Sequence, residues 1–528
     1  MNRRQFLTLP AAAALAAPGF GGASTKTRVG VVRSTHPKLP HPVSPEHDLD
    51  YEIVRSMVWQ AIGYGQPAAG SLGAKIEPGS WVVVKPNGVY LRPMSNYRPG
   101  NITDLRVIRA VVEYVAEHSQ AARITVAEGG SCRGPHHKSE SRTTFQNGVQ
   151  VGMLDFDWGP EEFPGFDGSL AGMLKECGAK HPGRRFDFID LNYDCIRDPG
   201  GALIRKEVPR AANGVGAFGA RPDYHVTNTI LNCDFLISVP VIKIHDLCGT
   251  TICLKNYVGT APREAYSYPA GWSNTMLHQQ HQVDGRIDPF IVDLASFHPP
   301  DYCVADGIRG LQYYEHNRNF ADQTVRSNLI VAGEDPVAVD ATASSLIGMS
   351  PWDIDFLHLA ARRGMGTMDA KQIDVVGDDP VKLRSYWAKP KAWYGRCNRE
   401  WLVSRNPAAP IGSWEKQTLR ADTLRVSQAP GKTLGAAVYV DSRASSRAFL
   451  WVGAQGRVRA KLNGQQVMAE ENMTRYRIGQ FQAPVELRSG ENLLEFEITP
   501  VTEEACLSAL LVGPRNDGDT VEGIRWRT

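Results

Sequence analysis

The sequence predicts an α/β core with a largely parallel sheet, plus a C-terminal all-β jelly-roll-like sandwich. Two observations carry the first part. Apolar runs of strand length recur from about Arg28 to about Asp379, and helix-period segments separate them. That alternation is the pattern of parallel strands joined by crossover helices. One observation carries the second part. After about Pro407 helical periodicity stops and apolar residues alternate with polar ones, as on half-buried strands.

Taken in order, "WVVVKPN" reads as a strand ending in a polar turn. "TDLRVIRAVVEYVAEH" reads as a helix capped by Thr103 or Asp104. "RITVAEGG" is a strand running into glycines, and the region from Phe145 to Arg221, richer in Gly and Pro, reads as an elaborated insertion. "DFLISVPVIK", "YCVADGI" and "SNLIVAGEDP" repeat the strand pattern. "DPVAVDATASSLIGM" and "IDFLHLAARRGMG" are helices that stop at glycine. In the sandwich, Asn463-Gly464 is a hairpin turn signal.

The chain has 528 residues, 42% of them hydrophobic, enough for more than one domain. A net charge of +2 without long runs of like charge offers no electrostatic footprint for nucleic acid. The nine cysteines include no C-x-x-C pair, so no iron–sulfur cluster or structural zinc is expected. At the start, "NRRQFLTLPAAAALAA" sets Arg3 and Arg4 before an apolar run too short to span a membrane comfortably. It resembles a twin-arginine export signal, which implies transport of a folded chain to the periplasm by the twin-arginine machinery. A general secretory signal is the alternative. The expected divisions are 1–25 for the signal, 26–405 for the α/β domain and 406–528 for the sandwich. No other segment reads as membrane-spanning.

Chemistry concentrates in "KIHDLCGTTICLKNYVGTAP", which follows an apolar strand. Strand ends of α/β sheets are where such folds place their sites. Lys243, His245 and Lys255 are the expected catalytic centre. Neighbouring lysines disfavour each other's charged form, which suits base or covalent chemistry. Histidine exchanges protons near neutral pH or ligates a metal. Thr250 and Thr251 are expected to cap a helix beginning near Ile252, whose N-terminus would favour an anion. Asn256 joins that anion-binding set. In "KPNG", Lys85 and Asn87 follow a strand, with Pro86 stiffening the turn. Lys85 is placed for a phosphate or carboxylate, or is an ordinary exposed lysine. Glu128 and Asp306, each at a strand end, are candidate metal ligands, without a D-x-D or H-x-x-x-H spacing. Asp335 is expected to cap the next helix, inside which Asp340 falls. "YYEHNRNF" holds Glu315, His316 and Arg318 in a polar loop that reads as a solvated surface or a lid.

Five segments, "VVVKPNGV", "ITVAEGG", "VPVIKIHDLCGTTICLKNYVG", "CVADGIRG" and "NLIVAGEDPVAVDATASSLIGM", together resemble the domain-of-unknown-function family 362 across residues 80–380. Many members carry a ferredoxin-like cysteine cluster, which this chain lacks. "HDLCGTTICLKNYVG" is also similar to lactate racemase-like proteins, in which a lysine ten positions after a histidine carries a nickel-pincer nucleotide. His245 and Lys255 have that spacing. The resemblance implies an acid–base role for His136 or His137 and metal binding by His278 and His281. It implies a nickel-pincer-type cofactor; the Asp and His side chains separately suggest a divalent metal. The chain departs from that pattern in its loop lengths and in Asn256, where those proteins have small residues. "AKLNGQQV" and "SGENLLEFEI" resemble galactose-binding-like modules of carbohydrate-active enzymes, which implies a carbohydrate partner.

The leading expectation is an exported enzyme that epimerises or racemises a hydroxy acid or sugar-derived substrate by proton or hydride chemistry. The alternatives are a non-catalytic anion- or glycan-binding protein and a metal-dependent hydrolase built on the acidic strand ends. A small anionic molecule or a carbohydrate is the expected partner.

Overall fold

The computed structural model describes residues 26–528 except 67–69, 90–97, 130–142, 147–148, 153–156, 159–167, 268–274, 284, 314, 316–319, 391–399, 420–422, 472–475, 477–478 and 517–520. The expected signal, His136, His137, His316 and Arg318 therefore lie outside the described residues.

The α/β unit is built from β1 (Thr27–Arg33), α1 (Tyr51–Tyr64), β2 (Trp81–Pro86), α2 (Leu105–His118), β3 (Arg123–Glu128) and β4 (Arg185–Asp190). It continues with β5 (Phe235–Val239), β6 (Val241–His245), β7 (Gly249–Thr251), α3 (Asp288–Ala295), β8 (Tyr302–Leu311) and β9 (Thr324–Gly333). It ends with α4 (Pro336–Leu346), α5 (Asp355–Arg362) and β10 (Ile373–Gly377). The main sheet has the order β10-β1-β9-β8-β5-β2-β3-β4. Every neighbouring pair is parallel except the two that β9 makes, with β1 and β8. One buried cluster lies on each face, which explains why the central strands are apolar throughout.

The chain runs outward from β2 to β3 and β4, then returns to place β5 on the other side of β2. The ends of β2 and β5 thus lie where the strand order reverses, the usual crevice of an open α/β sheet. Pro240 divides the expected single strand in two. β5 pairs with the start of β8, and β6 pairs with its later half. β6 is thereby carried beyond the end of β2 and turns back as the hairpin β6–β7. Gly249, at φ 87°, supplies the left-handed residue of that turn.

The C-terminal unit contains β11 (Glu400–Ser404), β12 (Glu415–Thr418), β13 (Leu424–Ser427), β14 (Leu434–Ser442), β15 (Ser446–Ala454) and β16 (Arg457–Leu462). It closes with β17 (Gln465–Glu470), β18 (Phe481–Leu487), β19 (Gly490–Thr499), β20 (Glu504–Val512) and β21 (Ile524–Arg527). These form two antiparallel sheets, β12-β11-β14-β19-β16-β17 with β21 beside β14, and β13-β20-β15-β18. Their inward residues make a core of their own, so this unit is a sandwich. Asn463 and Gly464, both at positive φ, make the predicted hairpin turn between β16 and β17.

β11 pairs with β14, so sandwich structure begins on the N-terminal side of residue 406. The sandwich docks through Arg425, whose guanidinium donates to Trp352 O at 3.2 Å and Asp355 Oδ1 at 3.3 Å. Because the two units have separate cores, a chain ending at Lys389 is expected to unfold cooperatively and stay monodisperse. A chain ending at Arg405 keeps β11 without its partner strand and is expected to aggregate more. Size exclusion and thermal unfolding compare them. Loss of the transition in the shorter chain would show that the sandwich completes the α/β core.

Candidate functional site

Asn87, the residue just after β2, is held by hydrogen bonds. Asn87 N–H donates to Thr103 Oγ1 at 2.9 Å, and Thr103 Oγ1 donates to Val239 O at 2.6 Å. This ties the end of β2 to the end of β5. Above it sits the hairpin β6–β7. Its register pairs Lys243 with Thr251 and His245 with Gly249, and directly paired residues share a face. Lys243, His245 and Thr251 therefore project together, while Thr250 takes the other face and meets Ser344 of α4 at 3.4 Å.

Thr250 and Thr251 do not cap a helix near Ile252, contrary to the sequence expectation. They are strand residues, and a 3₁₀ turn follows at Lys255–Thr260. The β-branched pair favours the ladder, and a different residue organises the turn. Asp340 of α4 accepts from Cys253 N–H at 2.7 Å and Leu254 N–H at 3.1 Å. Burial raises its carboxyl to about 7. Asp335 caps α4 as expected, accepting from Ala338 N–H.

Three lysines meet here, two satisfied internally and one not. Lys85 Nζ donates to Glu128 Oε2 at 2.6 Å, Pro86 O at 2.9 Å and Asn256 Oδ1 at 3.0 Å. Both partners of that ion pair are buried. Asn256 Nδ2 returns bonds to Lys85 O and Ser238 Oγ. A Cβ on Gly259 would stand 2.8 Å from both Lys85 Nζ and Glu128 Oε1, so glycine lets the turn close over the pair. An ammonium has three donors, and all of them are engaged. Lys85 is an internal clamp, not the expected holder of a phosphate or carboxylate.

Lys243 is likewise satisfied. Its Nζ lies 2.5 Å from Glu315 Oε2 and donates to Asn87 Oδ1 and Asn101 O, each at 3.0 Å. Burial still pulls its pKa down, and the nearby charge of Lys255 adds to this, against the opposing pull of Glu315. Glu315 Oε1 also lies 3.4 Å from His245 Nε2, while His245 Nδ1 accepts from Leu247 N–H at 3.2 Å. Lys255 is different. It is 8% exposed, and among the described residues it has no hydrogen-bond or ion-pair partner.

The expected metal ligands are not brought together. Glu128 faces Lys85. Asp306 accepts from the Asp104 and Ile308 N–H groups, each at 2.8 Å. Burial, with the neighbouring Asp104 charge, raises it to about 7. His281 is stacked on Tyr224 and bonded to Tyr266; burial, then Arg205, lowers it to about 4. His278 contacts Gln282 and Phe290. Among the described residues no three His, Cys, Asp or Glu side chains form a metal-sized group. Lys255 offers an amine for covalent attachment, but the described donors do not fit a nickel-type centre, so no step is derived through one.

Sequence reasoning missed Asn101, Ser238 and Gly259. It named Glu315, but in a loop read as a solvated surface or a lid, whereas the Glu315 side chain is buried against Lys243, and nothing local places it against a lysine 72 positions earlier. A buried charge stripped of its partner is costly. Lys85→Met is therefore expected to lower stability by about 3–5 kcal/mol, read from urea unfolding. Lys85→Met with Glu128→Leu removes both charges and is expected to recover most of that loss. A Lys85→Met protein as stable as the wild type contradicts the pairing.

Comparison with known proteins adds the following. The family profile described as Domain of unknown function (DUF362) matches residues 209–345, the segment that carries Lys243, His245 and Lys255. No curated protein matches the chain. Among solved structures, the lactate racemase apoprotein from Thermoanaerobacterium thermosaccharolyticum is 11% identical with a TM-score of 0.25. That match covers 54% of this chain and 52% of the racemase, so the chain spans about half of that relative's length. A family 35 carbohydrate binding module from an environmental isolate is 14% identical, with a TM-score of 0.15, over 25% of this chain and 90% of the module. CBM35 from Cellvibrio japonicus Abf62 is 20% identical, with a TM-score of 0.13, over the same shares.

Proposed function

We propose that the chain is an enzyme acting on a small anionic substrate, a hydroxy acid or sugar acid, at the crevice above β2 and β5. One observation carries the reading: Lys255 is a nearly buried cation with no partner among the described residues. Its two lysine neighbours each have a carboxylate. Taking the lysines Lys85, Lys243 and Lys255 with Glu128 and Glu315 leaves one positive charge over. A buried cation without a counter-ion is unfavourable, and a substrate carboxylate or phosphate would neutralise it.

His245 is the proton carrier of the reading. Glu315 faces its Nε2, and the Leu247 N–H faces its Nδ1, so the ring is held in one orientation. Proton transfer at a hydroxyl-bearing carbon, as in an epimerisation or racemisation, needs a group of this kind within reach of the substrate. Lys255 would hold the anionic end, or serve as the attachment point of a cofactor. Lys85, Asn256 and Asp340 position the Lys255 turn.

A second reading, a non-catalytic anion-binding protein, is favoured by the same ring: both nitrogens of His245 already have neighbours. The hydrolase reading has less support, because Glu128 and Asp306 are engaged internally. Export through the twin-arginine pathway rests on Arg3 and Arg4. Glycan contact rests on the strand pattern of the sandwich. Among the described residues no helix is long and apolar enough to cross a membrane.

Lys255→Arg keeps the charge, and Lys255→Ala removes it. If Lys255 only holds an anion, Lys255→Arg is expected to retain binding of a hydroxy acid to within about tenfold, whereas Lys255→Ala loses more. If it is an attachment point, protein from the native host shows an adduct by intact mass that both variants lack. Turnover requires His245: His245→Gln is expected to abolish it while hydroxy-acid binding persists, which separates enzyme from binding protein. Unmodified wild-type mass with unchanged anion binding in Lys255→Ala contradicts the proposal.

A further inference from the structure

A second cluster of reactive side chains lies at the opposite ends of the central strands. Cys233 precedes β5, and His298 and Asp301 precede β8, so all three gather at the N-terminal ends of two parallel strands. His298 Nδ1 stands 3.7 Å from Cys233 Sγ and 3.0 Å from Ile230 O. His298 Nε2 stands 3.2 Å from Asp301 Oδ2. Asp301 is itself held, because its Oδ2 accepts from Leu236 N–H at 2.8 Å. The His298 carbonyl accepts from Tyr257 O–H at 2.6 Å, while Ile230 O and Asp301 Oδ2 hold the two ring nitrogens.

This is a nucleophile, a histidine within reach of it and an acid that orients the histidine, the arrangement that activates thiols. Burial alone would lower the pKa of His298. Its contacts with Asp301 and Cys233 override that and raise it to about 10. The cluster is not sealed: the His298 and Asp301 side chains are 14% and 36% exposed, beside a Cys233 that is 6% exposed. Cys233 is itself buried, but the other described thiols, Cys177, Cys195, Cys248, Cys253, Cys303 and Cys506, are more deeply so, at 0–1% exposed, and burial pushes each of those six up.

We propose that Cys233, with His298 and Asp301, is a reactive-thiol site that captures small disulfides as a mixed disulfide. Cys233 gives up its S–H proton to water and its sulfur attacks one sulfur of the disulfide. A new S–S bond forms, the old one breaks, and the departing thiolate takes a proton from His298, which water restores, so the products are the mixed disulfide and one free thiol. No further oxidant is needed. The site shares no side chain with the Lys255 crevice, although Tyr257, which donates to the His298 carbonyl, belongs to the same 3₁₀ turn as Lys255.

The test treats the native, full-length chain with bis-hydroxyethyl disulfide near neutral pH and follows each cysteine by peptide mass spectrometry. Cys233 is expected to react at least about tenfold faster than any of the six other described thiols, as activated thiols do. His298→Gln is expected to slow it about tenfold, with an unchanged thermal transition. If His298→Gln does not fold, Asp301→Asn decides, and a slower reaction at Cys233 is expected there too. Labelling spread evenly over the thiols, or a folded variant that reacts at the wild-type rate, overturns the proposal.

Discussion

The buried pair of Lys85 and Glu128 is the contact on which the candidate site depends. It joins the ends of two neighbouring strands, and Asn256 and Gly259 of the 3₁₀ turn close over it. The turn can approach the sheet so closely only because one residue has no side chain and another supplies an amide that both donates and accepts. Desolvated charges must be paired and hydrogen-bonded to be tolerated. That constraint sorts the three lysines. Lys85 and Lys243 meet it internally, and Lys255 does not, which is why the proposed function rests on Lys255.

Much of the framework was legible in the sequence because it depends on local pattern. The apolar strands, the glycine stops, the Asp335 cap and a cap at Thr103 or Asp104 were read from residues near in sequence, and the structure has them, with Asp104 as the cap of the two. The antiparallel direction of β9 was not legible. Strand periodicity has no direction, and "SNLIVAGEDP" looks the same either way. The β6–β7 hairpin was mistaken for a helix start because Thr-Thr suits an N-cap as well as a ladder. Only pairing with Ile244 and Lys243 decides it.

Long-range partners were the least legible part. The sequence brings Lys243, His245 and Lys255 together by proximity, but their states depend on Glu315, Asn101 and Asp340. A lysine at a strand end reads as a ligand-binding group until the carboxylate from the next strand is seen. Arg425 is a similar case. It lies in an unremarkable strand of the sandwich, and only the fold shows it bridging Asp355 and Glu504 at the junction of the two units.

The central claim is that two of the three lysines are internal clamps and the third is available. Reductive methylation of the native protein, followed residue by residue with mass spectrometry, tests it most directly. Lys85 and Lys243 are expected to stay unmodified while Lys255 reacts, and a small hydroxy acid is expected to protect Lys255. Methylation of Lys85 or Lys243 as fast as Lys255, or a Lys255 that is inert in the unliganded protein, would contradict the account.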